Sequence, residues 1–467
     1  MEISRRALLA GAAAATALAG CSGRTPATVD VRSFEARGDG VTDDSGAIQS
    51  AVGALRSGDT LHFPSGTYRF AQHHPPGDAA ISLTGLANVA VEFDPGAELL
   101  MDNLDPATHT GTSHGVLVHG PASGIMLRGV NIRWAQTATR SFGDGIRVQG
   151  RPGPHTGWSA VQSVSGVTLS DCAVRASPQA GVIMMGVSDI DVSGLRVADT
   201  GADGLHFNAC RRARVDDYGA VDTGDDGLAL VTYFAETPSF DDAAHTFAFP
   251  SLTEWSNTDF VVTGVDVAGG SANGVRIAGA HRVTVGGVRV DGVRSGAAVM
   301  VDSAEPGADV GWNYVASRGV RVGDLTATHC DTGFHLLARP GAAGDQRFTD
   351  FDVHVDGARV DDCSNWSVRA ESLTERRVSG LRLQNCTVSA SSTTGGNGGV
   401  GIGNAQGISL SALTIRHTES VVALHAVNAG PLAVDRLSVS VNGAEQPAAS
   451  PCVSLDGSEL VPAVHCS

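Results

Sequence analysis

One short pattern recurs along this chain: a glycine followed by an apolar, a variable and a second apolar residue. It begins at Gly115, Gly145, Gly181, Gly204, Gly227, Gly274, Gly296, Gly333 and Gly399. The steps between these glycines are 30, 36, 23, 23, 47, 22, 37 and 66 residues. The short steps are near 23, and 47 and 66 are close to two and three times that unit. Trp366 stands where a missing glycine would divide the longest step in half. Between the glycines lie alternating apolar and polar runs at 164–174, 190–197, 261–267, 283–290 and 320–325. Alternation puts one face of a strand inward and the other outward. A unit of this size cannot bury its apolar face alone, but stacked units can.

The expected fold class is therefore all-β, a right-handed parallel β-helix. In the repeated strand the apolar positions form inward ladders. The variable position faces solvent and reads Leu117, Arg147, Ile183, His206, Ala229, Arg276, Ala298 and His335. Composition agrees: 59 of 467 residues are glycine, 5% are aromatic, and lysine is absent. The hydrophobic fraction of 42% excludes a disordered chain. The formal net charge of −17 argues against nucleic acid as the main partner.

Residues 1–21 read as an export signal rather than as fold. Ser4-Arg5-Arg6 precedes an apolar run from Ala7 to Ala19, which resembles a twin-arginine signal. Leu18-Ala19-Gly20-Cys21 resembles a lipobox, which implies lipid attachment at Cys21 after cleavage. Residues 22–28 form a linker, and 29–467 form one β-helix domain. Its parts are a cap and first coil (29–70), an insertion (233–259) and a less regular C-terminal cap (440–467). The expected location is exported, lipid-anchored on the outer face of the cell membrane or secreted. The expected state is a monomer. Folded export leaves the internal thiols reduced, and Cys452 and Cys466 are the one pair placed to form a disulfide.

Gly38-Asp39-Gly40-Val41-Thr42-Asp43-Asp44 leads into a helix from Ser45, with Ile48, Val52 and Leu55 on one face. Asp43, Asp44 and Ser45 are N-cap candidates. Phe63-Pro64-Ser65-Gly66-Thr67-Tyr68 then opens the first coil. This segment resembles the N-terminus of the pectate lyase superfamily, where a short helix closes the open end of the β-helix. The cap covers edge groups that would invite aggregation.

The chemistry centres on Ala202-Asp203-Gly204 and Gly224-Asp225-Asp226-Gly227. Aligning the glycines sets Asp203 beside Asp226, one strand spacing of about 4.8 Å away. Three carboxyls that close cannot all ionise freely, so at least one pKa should rise. A protonated carboxyl beside an ionised one is the equipment of glycosidic bond cleavage. The pattern resembles glycoside hydrolase family 28, the polygalacturonase-like enzymes, with Arg276-Ile277 matching that family's Arg-Ile-Lys. The resemblance implies Asp225 as general acid, Asp203 and Asp226 activating water with inversion, and Arg276 contacting the sugar. Ala278 stands in place of the family lysine, and no clean Gly-His-Gly occurs. His206 or His245 is the replacement histidine. Arg147, His335 and Asp144 are further substrate-binding candidates. Phe234, Phe240, Phe247, Phe249 and Trp255 crowd the insertion, either walling the cleft or packing the loop onto the body.

The sequence thus points to a glycoside hydrolase acting on a polysaccharide, without metal or other cofactor. Two alternatives stand beside it. One is a polysaccharide lyase of the same fold, with an arginine base and Ca²⁺ held by the acidic cluster. The other is a non-catalytic glycan-binding β-helix.

Overall fold

The recurring glycine marks the place where one coil's backbone meets a carbonyl of the next. A Cβ on Gly204 would lie 2.5 Å from the Gly227 carbonyl oxygen, and one on Gly227 2.6 Å from that of Gly274. A side chain at either of these two positions would force a shift, which favours glycine there. A computed structural model describes residues 24–152, 162–241, 246–308, 310–341, 344–390, 399–417, 422–441, 444–445 and 453–456. The export signal with Cys21, His245, Cys452 and Cys466 lie outside the described residues.

Among the described residues, thirty-five strands belong to one continuous sheet system in which each coil pairs in parallel with the next. The repeated strand runs through Ile146–Gln149, Val182–Met185, Leu205–Asn208, Leu228–Val231 and Val275–Ala278. Its register is regular: Ile146 pairs with Val182, Val182 with Leu205, Leu205 with Leu228 and Leu228 with Val275. These five side chains are fully buried and form one inward ladder. Each contributes roughly 1.5–3 kcal/mol by leaving water. The alternating runs also form strands, including Val164–Ser170, Thr258–Ala268, His281–Asp291 and Arg318–Thr328.

Two register expectations are corrected. Val275 pairs with Val299 and Arg276 with Met300, so the outward position of that coil is Met300. Ala298 instead belongs to the core, fully buried. The Gly296 match is two residues out of phase because a turn, not the strand, carries that glycine. In the longest step Phe334 pairs with Val368, which places Ser367 rather than Trp366 at the glycine position.

The helix spans Ser45–Ala54 and buries Ile48 and Ala51. Asp44 occupies the N-cap position without a side-chain cap bond. Its carboxylate accepts the backbone N–H groups of Arg37 (2.7 Å) and Gly38 (3.0 Å) instead, while Asp43 accepts that of Ser45 (3.0 Å). The tight turn before the helix draws the cap residue onto itself.

The insertion folds as a three-stranded sheet of Tyr233–Phe234, Ser239–Asp241 and Thr246–Phe249. Phe247, Phe249 and Trp255 pack with Met185 and Ala209 in a buried cluster. Most of the insertion's rings therefore fasten it to the outer face of the body. Cys172, Cys210, Cys330, Cys363 and Cys386 are buried free thiols.

Candidate active site

Asp203 and Asp226 each sit two residues before the first residue of a repeated strand, at its edge. That edge carries a ladder of short polar side chains. Asp144 Oδ1 accepts the N–H of Ala180 (3.0 Å), and Asp203 Oδ1 that of Asp226 (3.0 Å). Asp226 Oδ1 accepts the N–H of Asn273 (3.0 Å), and Asn273 Oδ1 that of Ala297 (2.9 Å). Each rung satisfies a backbone donor of the next coil. The same ladder fixes where the carboxyls of Asp203 and Asp226 lie.

Asp225 stands outside this ladder, where its carboxylate meets Arg140 Nη2 at 3.0 Å. One oxygen each from Asp203, Asp225 and Asp226 lies within 4.8 Å of the others. Burial raises the Asp226 carboxyl to about 7, with the charges of Asp203 and Asp225 adding to the effect against the opposing pull of Arg276. Asp225 is raised too, first by burial and then by the Asp203 charge. Asp226 is buried at 2% exposure, whereas the Asp225 side chain is 32% exposed. His206 Nδ1 lies 2.8 Å from Asp203 Oδ2.

Arg276 Nε and Nη2 donate to Asp302 Oδ1 (3.0 Å) and Oδ2 (2.8 Å), while Nη1 is 3.9 Å from Asp226. Burial alone would lower the arginine's pKa, but the Asp302 and Asp226 charges hold it well above its usual value. Its guanidinium also lies over the Tyr314 ring, 5.0 Å from the centroid.

A cleft of about 640 Å³ opens over Asp203 and His206 and continues past Ile183 to Arg147. Asp144 forms its floor, 1% exposed and 2.8 Å from Arg147. Burial would raise the Asp144 carboxyl, yet His114 and Arg147 hold it down near 2. The walls are Arg140, Phe142, Tyr233, Thr246 and Trp312.

Five of the expected residues thus gather in one cluster, Asp203, Asp225, Asp226, His206 and Arg276; of these Asp203 and His206 line the cleft, with Asp144 and Arg147 at its far end. His335 does not join them. It lies two rungs beyond Arg276, paired with Met300, and contacts Glu371 at 3.2 Å. Of the insertion's aromatic and flanking residues, Tyr233 lines the cleft, together with Thr246. Sequence reasoning missed Asn273, although it precedes Gly274 just as Asp203 precedes Gly204. Asp302, Arg140 and Trp312 carried no repeat signal, since they come from an altered coil or from loops.

A search of curated proteins finds no match. Residues 28–76 match the family described as rhamnogalacturonase A/epimerase, pectate lyase-like. Among solved structures, the catalytic unit of a thermostable family 87 α-1,3-glucanase from Streptomyces thermodiastaticus is similar. The likeness has TM-score 0.52 and 15% identity, over 95% of this chain and 70% of that one. A family 28 exopolygalacturonase of Yersinia enterocolitica is similar at TM-score 0.46 and 13% identity, covering 93% and 78%. PfbA, a surface adhesin of Streptococcus pneumoniae, gives TM-score 0.38 and 11% identity over 91% and 94%. At these identities the likeness is one of fold, and the chain is a right-handed parallel β-helix with a pectate lyase-like N-terminal segment.

Proposed function

We propose that this protein is an exported glycoside hydrolase that cleaves a polysaccharide lying in the cleft. The observation that carries the reading is the carboxyl triplet, with two members raised and one of these open to solvent. Asp225 combines a carboxyl pushed upward by burial and by the Asp203 charge with exposure, as a general acid facing the leaving oxygen must. Asp203, bonded to His206, is the water-activating carboxylate. Asp226 is neutral below about pH 7, which suits it to hold the shared proton rather than to act as a second base. This departs from the role implied for it by family resemblance.

The lyase alternative is weaker. Its arginine base would have to be Arg147 or Arg276, each ion-paired to a buried aspartate. A guanidinium held in that way does not give up its proton. No helix among the described residues is long and apolar enough to cross a membrane. Attachment to the membrane would be through a lipid on Cys21 alone.

Incubation with a panel of polysaccharides tests the reading. New reducing ends, no ultraviolet-absorbing unsaturated product and persistence in EDTA are expected. An absorbance rise abolished by EDTA would transfer the triplet to the role of cation ligands. Product stereochemistry tests the water. Inverting pairs usually stand about 6.5–9.5 Å apart, wider than this cluster, so water must enter at its mouth beside Asp203. Proton NMR of the first anomer should show inversion. Retention would make Asp203 a nucleophile.

A further inference from the structure

Among the described residues, each cation at or beside this cleft lies against a carboxylate, with Asp302 shared by Arg276 and Arg339 and Asp144 by Arg147 and His114. Arg276 is gripped through two nitrogens by Asp302, which is fully buried and also receives Arg339 Nε at 3.2 Å. Arg140 faces Asp225 at 3.0 Å, Arg147 faces Asp144 at 2.8 Å, and His206 faces Asp203 at 2.8 Å. Ala278, one position along the strand from Ile277, is fully buried in a cluster with Tyr314 and offers no charge. On the wall stand Tyr233 and Trp312, ring centroids 4.8 Å apart, with Trp312 42% exposed.

We infer that the sugar held at the point of cleavage is neutral, a hexose glycan without a uronate carboxylate or sulfate at the scissile linkage. The inference rests on the hydrolase reading and names its substrate class. An anionic sugar would give up its hydration on entry. Among the described residues it would find no cation without a carboxyl partner in return, and it would face the carboxylate of Asp203 at close range. A neutral pyranose needs only hydrogen bonds for its hydroxyls, which paired carboxylates and guanidiniums supply without a net charge. Its apolar C–H face can lie on the aromatic wall, the usual division of labour in a small-molecule cleft.

The test sets neutral polymers (glucans, galactans and mannans of several linkages) against polygalacturonate, alginate and a sulfated galactan. Polygalacturonate and its carboxyl-reduced form make one matched pair. Reducing ends and ultraviolet absorbance are both followed, and binding to the same glycans is read on an immobilised array. Cleavage confined to neutral polymers is expected. Reducing ends from a uronate or sulfated polymer would overturn the neutral-sugar inference and leave the hydrolase reading standing. Ultraviolet-absorbing product would overturn the hydrolase reading. If nothing is cleaved, the hydrolase reading fails; array binding to neutral glycans would still support the inference, and binding to anionic ones, or to none, would end it. Trp312→Ala should raise KM for the neutral polymer at least about tenfold with kcat little changed, the pattern of lost uniform binding. An unchanged KM would remove the aromatic wall from the argument.

Discussion

Asp226→Asn offers a sharp test of the site's electrostatics, because it removes a titration while keeping an acceptor. Oδ1 of the replacement can still receive the Asn273 N–H and Nδ2 that Asp226 receives at 3.0 and 2.7 Å. The carboxyl titrates near 7 in the folded chain against 3.8 for an ordinary aspartate. At 2% exposure its surroundings are screened little by water. A raised folded pKa means the native state holds the proton more tightly than the unfolded state. Its stabilising contribution is complete below pH 3.8 and is lost progressively as pH rises to about 7. The full span is on the order of 4 kcal/mol. Between pH 5 and pH 8 the wild type should therefore lose about 3 kcal/mol that the variant does not. Urea midpoints of both proteins, measured across that range, give the comparison. Midpoints are preferable to extrapolated free energies because long solenoids need not unfold in one step. The two curves should diverge as pH rises, with the variant gaining on the wild type. Parallel curves would refute the buried, proton-holding Asp226 and with it the proton-sharing triplet.

Asp225→Asn and Asp203→Asn should each lower kcat at least about 100-fold, with far-ultraviolet circular dichroism unchanged. Near-normal turnover in either folded variant would remove that residue from the mechanism. Asp302→Ala leaves Arg276 and Arg339 without their shared partner and should cost about 3–5 kcal/mol in denaturation. A stability equal to wild type would mean that water reaches the pair. Phe247→Ala should cost about 3–5 kcal/mol or release the insertion to limited proteolysis, since that ring is fully buried against the body. Cys21→Ser should shift the protein from the membrane to the soluble fraction of its host and alter its mass. No change in either would remove the anchor.

What the sequence determined by itself was whatever repeats from coil to coil. Stacking favours the same thing at each turn, an apolar ladder inside and a small residue, most often glycine, where carbonyls press close. Gly204 and Gly227 therefore announced both the fold and the register of Asp203 on Asp226, and the helix over Ser45–Ala54 was readable from its apolar face. The triplet was legible for the same reason, since two of its members occupy equivalent positions in adjoining coils. Repetition failed as a guide where a turn borrowed the glycine, as at Gly296, or where serine replaced it, as at Ser367. Tertiary structure alone decided what lies against the triplet. Asp302 reaches Arg276 from the next coil, Arg140 comes from a loop some 85 residues before Asp225, and Trp312 meets Tyr233 from a separate excursion of the chain. The Arg140 and Trp312 contacts arise from loops whose lengths no coil constrains, and the Asp302 contact from a strand whose glycine signal is displaced, so their partners are chosen by packing in space. That choice sets a carboxyl against Arg276, Arg140 and Arg147.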